Sequence, residues 1–311
     1  MQAKPGHPTQ ASSLSAELIA VLVAISDANP LAMTVEGGLA LPSGPFEVGQ
    51  RSLQSGLRAW VERSTGLSLG FLEQLYTFAD GERGDGADSG RRISVSYLGL
   101  ARAEPSAFPG AGWRGWYDYF PWEDRRAGPP MVLTAIEPGL RRWAAEARSP
   151  QAADTRWTRA AVAFGFDDRR WNEELTLQRY ELLYEASLVP EAKPPERAMN
   201  GLGAPMFADH RRILATGIAR LRAKIKYNPV VFELMPPVFT LLQLQRCVEA
   251  IAGLNLHKPN FRRLIEQQEL VEETDEVVSE TGGRPAKAFR FREAVKEERA
   301  VVGTKLPTAR A

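Results

Sequence analysis

Residues 240–292 constrain this chain more tightly than any other stretch. The run TLLQLQRCVEAIAGL (240–254) carries apolar residues at helical spacing. Thr240 stands where an N-cap belongs, with Gln243 three residues on in a capping-box pattern, and Gly253 supplies a stop. The turn NLHKP leads into a third helix, Asn260–Gln268, in which Phe261, Leu264 and Ile265 share a face. Two strand-like pieces follow, LVEET and KAFRFR, flanking a basic, glycine-containing tip TGGRPAK. Upstream, Asp209–Lys226 reads as an amphipathic helix with Asp209 as its N-cap. A helix, a tight turn, a second short helix and a basic hairpin in that order predict a winged helix-turn-helix.

That order has a chemical consequence. Lys258, Asn260, Arg262 and Arg263 gather near the start of the third helix, and Arg284 and Lys287 near the tip of the hairpin. Arg can read guanine and Asn adenine in a major groove, and all can bind phosphate. These six are the candidate DNA-binding residues, with double-stranded DNA as partner. The alternative for each basic residue is an ordinary solvated face. Net charge offers no help, because the whole chain carries only +1.

The 311 residues exceed one typical domain. Before the proline- and charge-rich stretch VPEAKPPERAMNGLG the pattern is different. Leu18–Ile25 predicts a buried strand, TVEGGLALP a second extended stretch, and Leu53–Thr65 a helix that Gly66 ends. Phe71–Phe78, Ile93–Leu100 and Met131–Ile136 follow as strands, then helical runs near Leu140–Arg148 and Glu173–Leu188. The expected class is α+β: an α/β/α sandwich with a mixed sheet, then the winged helix. The expected divisions are a lead-in over 1–13, a first domain over 14–189, a linker over 190–206, the winged helix over 207–295 and a polar tail over 296–311.

The segment Leu41–Leu67, LPSGPFEVGQRSLQSGLRAWVERSTGL, resembles the Nudix box, a loop–helix–loop that normally sets several glutamates around a divalent metal. Gly44 matches its first glycine and Arg58 its arginine. The first glutamate position is Gln50, and Ala59 replaces the glutamate after the arginine. Aligned on Arg58, Glu62 and Arg63 fill the paired metal positions; aligned on Gly66, Arg63 and Ser64 do, and no carboxylate remains. Glu62 otherwise reads as a solvated helix residue. No catalytic residue, metal site or cofactor is therefore expected.

Three other features narrow the class. The single cysteine, Cys247, lies in an apolar-periodic run and reads as a buried structural thiol, suited to a cytoplasmic protein. The three histidines are far apart in sequence, without metal-ligand spacing. No apolar run approaches the roughly 18–20 residues of a membrane span, and the polar N-terminus does not read as a signal peptide.

Taken together, the chain is similar to the Nudix-related transcriptional regulator family, NrtR. The likeness is carried best by KYNPVVFELMPPVFTLLQLQRCVEAI, LHKPNFRRLI and GGRPAKAFRF. The resemblance implies a homodimeric repressor on a palindromic operator, released by a nucleotide-type effector such as ADP-ribose in the branch controlling NAD metabolism, or by a sugar phosphate in others. For that effector the candidate residues are Arg58 and Arg92 against an anionic group and Tyr76 or Tyr97 as a stacking surface; core packing is the alternative for both tyrosines. An active hydrolase of ADP-ribose-like diphosphates with an attached binding module is the alternative function. The insertion Gly81–Arg91 and the aromatic run WRGWYDYFPWED (113–124) have no obvious counterpart in the family.

Overall fold

The computed structural model describes residues 15–46, 49, 52–67, 69–78, 92–104, 109–192, 197–278 and 286–292. Its centre is strand β1 (Ser15–Ser26), whose residues from Leu18 to Ala24 are all buried. A two-residue turn, Asp27–Ala28, has both φ values positive (48° and 57°) and reverses the chain into β2 (Asn29–Thr34). Pro30 lies in the returning strand, opposite Ile25. Strand β3 (Ser43–Pro45) pairs antiparallel with the first half of β1. Strand β4 (Leu72–Phe78) pairs antiparallel with β5 (Arg92–Leu100), which runs parallel to β1 from Ser15↔Arg92 to Val23↔Leu100. With β6 (Gly112–Gly115) on β2, the order is β4-β5-β1-β2-β6, a mixed sheet.

Both faces of β1 are covered, which is why its sequence is continuously apolar instead of alternating. Leu18, Ala20 and Leu22 form a core with Leu57 and Val61 of helix α1 (Leu53–Thr65). Ile19, Val21 and Val23 belong to a larger core with Ile213, Leu214, Ile218 and Leu221 of helix α6 (His210–Lys224). A Cβ at Gly217 would sit 2.7 Å from Val21 Cγ1, so only glycine lets α6 lie this close to the sheet. Helix α6 opens the segment expected to form the C-terminal unit, and its inner face rests on the sheet. Asp209 holds its N-cap position, although its side chain makes no capping hydrogen bond.

Two expectations are corrected. TVEGGLALP is not extended: Glu36, Gly37 and Gly38 all have positive φ and form a 3-10 turn that the Val35↔Ala40 bridge closes. Met131–Ile136 is not a strand, because helix α3 runs Leu133–Ala145. Its buried residues Leu133, Ile136, Leu140, Trp143 and Ala144 keep helical spacing, with Pro138 tolerated inside. A short apolar run beside prolines does not distinguish strand from helix. Between these come the four-residue helix α2 (Trp116–Tyr119) and a 3-10 turn, Pro121–Glu123. An unanticipated helix, α4 (Pro150–Phe164), starts at the Ser149 cap and ends at Gly165. Helix α5 (Thr176–Glu185) follows.

The remaining elements are α7 (Leu241–Ala252), α8 (Lys258–Gln267), β7 (Val271–Val278) and β8 (Ala286–Phe291). Thr240 and Gln243 make the expected capping box: Gln243 N–H donates to Thr240 Oγ1 at 3.1 Å and Thr240 N–H to Gln243 Oε1 at 2.7 Å. Gly253 ends α7 at φ 71°. Cys247 is buried on its inner face, and burial pushes its thiol up to about 12, leaving it a packing group.

Candidate functional site

Helix α8 has two unlike sides. Phe261 and Ile265 are buried and Leu264 half-buried, while Lys258, Asn260, Arg262 and Arg263 are exposed. None of those four has a hydrogen-bond or ion-pair partner among the described residues. The helix follows the N-cap His257, whose side chain does not cap it; Pro259 carries no N–H, so only the backbone N–H groups of Lys258 and Asn260 lack an intrahelical partner at this end. That end therefore presents positive charge and hydrogen-bond donors together, which suits a phosphate backbone.

The turn joining α7 to α8 is fastened from within. Gln245 Nε2 donates to Leu256 O at 3.1 Å and to Glu249 Oε1 at 2.9 Å. Leu256 N–H donates to the same Glu249 oxygen at 2.8 Å. Sequence reading missed both residues. The available signal was a polar pair at i, i+4 on an otherwise apolar helix.

The two strands of the expected hairpin are present; its tip, 279–285, lies outside the described residues. Strands β7 and β8 pair antiparallel, with Glu272 opposite Arg290 and Val277 opposite Lys287. Phe289 exchanges two backbone hydrogen bonds with Phe239, at 2.9 and 2.8 Å, attaching the hairpin to the connector before α7. Phe291 stacks on Phe232 with centroids 4.3 Å apart. Lys287 is exposed and pairs with Glu273 at 2.7 Å, so it presents less net charge than the α8 cations. Arg284 lies outside the described residues.

The Nudix-like segment is arranged differently. Arg58 spends both terminal nitrogens on protein: one donates to Leu69 O and the other to Gly70 O at 2.9 Å. It thus ties α1 to the loop entering β4. Glu62, Arg63 and Ala59 lie on the outer side of α1, away from the core that Leu57 and Val61 enter, and its Gly66 stop takes φ 76°. Tyr97 is 4% exposed and packs in the core under α1, whereas Tyr76 is 60% exposed and makes an edge contact with Phe78. Among the described residues, no hydrogen bond or ring contact joins Arg58, Tyr76 and Tyr97 to one another. Arg92 opens β5 opposite Ser15. Gln50 and the insertion 81–91 lie outside the described residues. Among the described residues no three His, Cys, Asp or Glu side chains gather into a metal site, and no helix is long and apolar enough to cross a membrane.

Residues 231–291 match the NrtR DNA-binding winged helix domain, so this part of the chain is a winged helix of the NrtR type. Over 83 residues, 27% of the chain, it is 45% identical to the ADPR-responsive transcriptional repressor of Acinetobacter baylyi. That stretch spans only 33% of the repressor's length. The fold of almost the whole chain is similar to Shewanella oneidensis NrtR solved with a 27mer DNA: TM-score 0.56, 18% identity, 93% of this chain and 99% of that one. It is also similar to a MutT/nudix family protein from Enterococcus faecalis, with TM-score 0.53, 16% identity, and 94% and 90% coverage. A Nudix-like domain followed by a winged helix is thus the architecture.

Proposed function

We propose that this chain is a cytoplasmic transcriptional repressor that binds duplex DNA as a homodimer on a palindromic operator. Its Nudix-like domain takes up a small phosphorylated effector without hydrolysing it. The observation that carries this reading is the two-sided α8: apolar residues inward, and Lys258, Asn260, Arg262 and Arg263 outward with no partner among the described residues. It sits within residues 231–291, which match the NrtR DNA-binding winged helix domain. Arg284 and Lys287 would add contacts from the hairpin.

ADP-ribose is the first effector to test, because that relative responds to it; a sugar phosphate is the second. Arg92, at the start of β5, and the exposed Tyr76 are the candidates for an anionic group and a stacking surface, Arg58 would act through the Leu69–Gly70 loop it holds, and Tyr97 packs in the core under α1. Ala59 and Arg63 in place of metal carboxylates, with Glu62 alone on an exposed helix side, support binding without turnover.

The test is a gel-shift titration on the promoter region of its own gene, with and without ADP-ribose. Tight binding to a palindrome that ADP-ribose alters is expected. No preference over random DNA at moderate salt would overturn the reading, and Mg²⁺-dependent turnover of ADP-ribose that Glu62→Gln abolishes would restore the hydrolase.

A further inference from the structure

The aromatic run 113–124 takes no part in either candidate site, yet five of its twelve residues are buried. Trp116, Tyr119, Phe120, Trp122 and Glu123 are each at most 2% exposed. Glu123 is an acid with no access to water, and its partners come from two other helices. Its Oε1 accepts from Arg179 Nε of α5 at 2.5 Å. Its Oε2 accepts from Arg179 Nη2 at 2.9 Å, from Thr176 Oγ1 at 3.3 Å and from Arg222 Nη1 of α6. Burial alone would raise this carboxyl, but Arg179 and Arg222 outweigh it and hold it below the usual carboxylate range.

The same group of residues grips the end of α7. Arg222 Nε donates to Ile251 O at 2.8 Å, Tyr117 Oη to Ala250 O at 2.7 Å and Arg125 N–H to Gly253 O at 2.8 Å. Asn255 Nδ2 donates to Arg126 O. The carbonyls that a helix end leaves without partners are thus met by the 117–126 segment and α6. A Cβ on Gly253 would run into Glu123 O and lie 2.9 Å from Tyr117 Oη, so this close approach requires glycine. β6 leads directly into α2, so the segment that grips α7 is continuous with the edge of the sheet.

We infer that Glu123 is a positioning residue: by clamping Arg179 and Arg222 it fixes the end of α7, and therefore α8, in one orientation relative to the sheet. Buried ion pairs are weak sources of net stability, and their best-attested use is to select one arrangement. In a dimer, a fixed orientation sets the distance between two recognition helices and so which half-site spacing can be bound. This last step rests on the proposed DNA-binding reading; the clamp itself does not.

The test uses the full chain with Glu123→Gln, and Tyr117→Phe as a milder change that leaves the charges in place. Amide hydrogen exchange reads the clamp without DNA. Amides 250–257 should exchange about tenfold faster or more in E123Q, and less so in Y117F, while those of β1 and β5 keep their protection. Unchanged exchange at 250–257, or an equal loss across the sheet, would overturn the inference. Binding reads the consequence. E123Q should lose about tenfold on the palindrome while a half-site duplex loses less than about twofold. Equal losses on both duplexes, or none, would contradict a positioning role. If the wild type fails to prefer the palindrome at all, the functional reading falls, and the exchange pattern still decides the clamp.

Discussion

Arginine does opposite jobs at the two ends of the α7–α8 turn. Beyond it, Arg262 and Arg263 stand exposed on α8 with no partner among the described residues. Behind it, Arg179 and Arg222 are fully buried, and their hydrogen bonds go to Glu123, Thr176 and backbone carbonyls. Arg179 also lies 3.7 Å from the Trp171 ring centroid. A guanidinium in water keeps its hydration and remains available to a phosphate. A buried one survives only where carboxylate, carbonyls and aromatic faces replace that water. The contrast separates the proposed binding residues from the proposed positioning residues by burial, although their residue type is the same.

The sharpest way to break this contrast is to cut the two sides of α8 separately. Phe261→Ala should destabilise the protein by about 3–5 kcal/mol, seen as a lower midpoint in urea, because a buried ring leaves a cavity. Arg262→Ala, one position on, should leave the midpoint unchanged and weaken DNA binding by about 1–3 kcal/mol, read by fluorescence anisotropy. If Arg262→Ala shifts the urea midpoint as Phe261→Ala does, the two sides are not distinct.

Acid should probe the buried arginines. The Glu123 carboxyl is held below its unfolded value of about 4.3, so its stabilising contribution is fully present above that pH. It is lost as pH falls through the lower folded value. Melting temperatures from pH 7 to pH 3 should therefore fall more steeply for the wild type than for Glu123→Gln; parallel curves would show that the clamp does not hold the carboxylate ionised.

Smaller effects sharpen the picture. Thr240→Ala removes the capping box on α7 and should cost about 1 kcal/mol of stability, read as a lower urea midpoint. Glu62→Ala, on the exposed side of α1, should stay within about 0.5 kcal/mol of the wild type in the same titration.

How much of this was legible in the sequence follows the range of each interaction. The cap at Thr240, the stop at Gly253, the buried Phe261 and Ile265 and the hairpin strands around 271–291 are local, and sequence reading placed them. MVLTAI was misread because six residues beside two prolines carry no period, and α4 was overlooked although Ser149, Pro150 and Gly165 mark its ends. Glu123 was illegible for a stronger reason. Its partners lie 56 and 99 residues away, and Arg179 within LQRYELL looks like any solvated helix cation. At the Nudix-like helix, Arg58 was visible as the box arginine, but its commitment to the carbonyls of Leu69 and Gly70 appears only in three dimensions.

The central claim is that the exposed cations of α8 hold DNA phosphates and bases. Its most direct test is the salt dependence of operator binding for the wild type and for Arg262→Ala/Arg263→Ala. Log affinity should fall steeply with log salt for the wild type, and the slope should drop by about 1 for each phosphate no longer held, with folding unchanged. An unchanged slope and affinity in the double variant would contradict it.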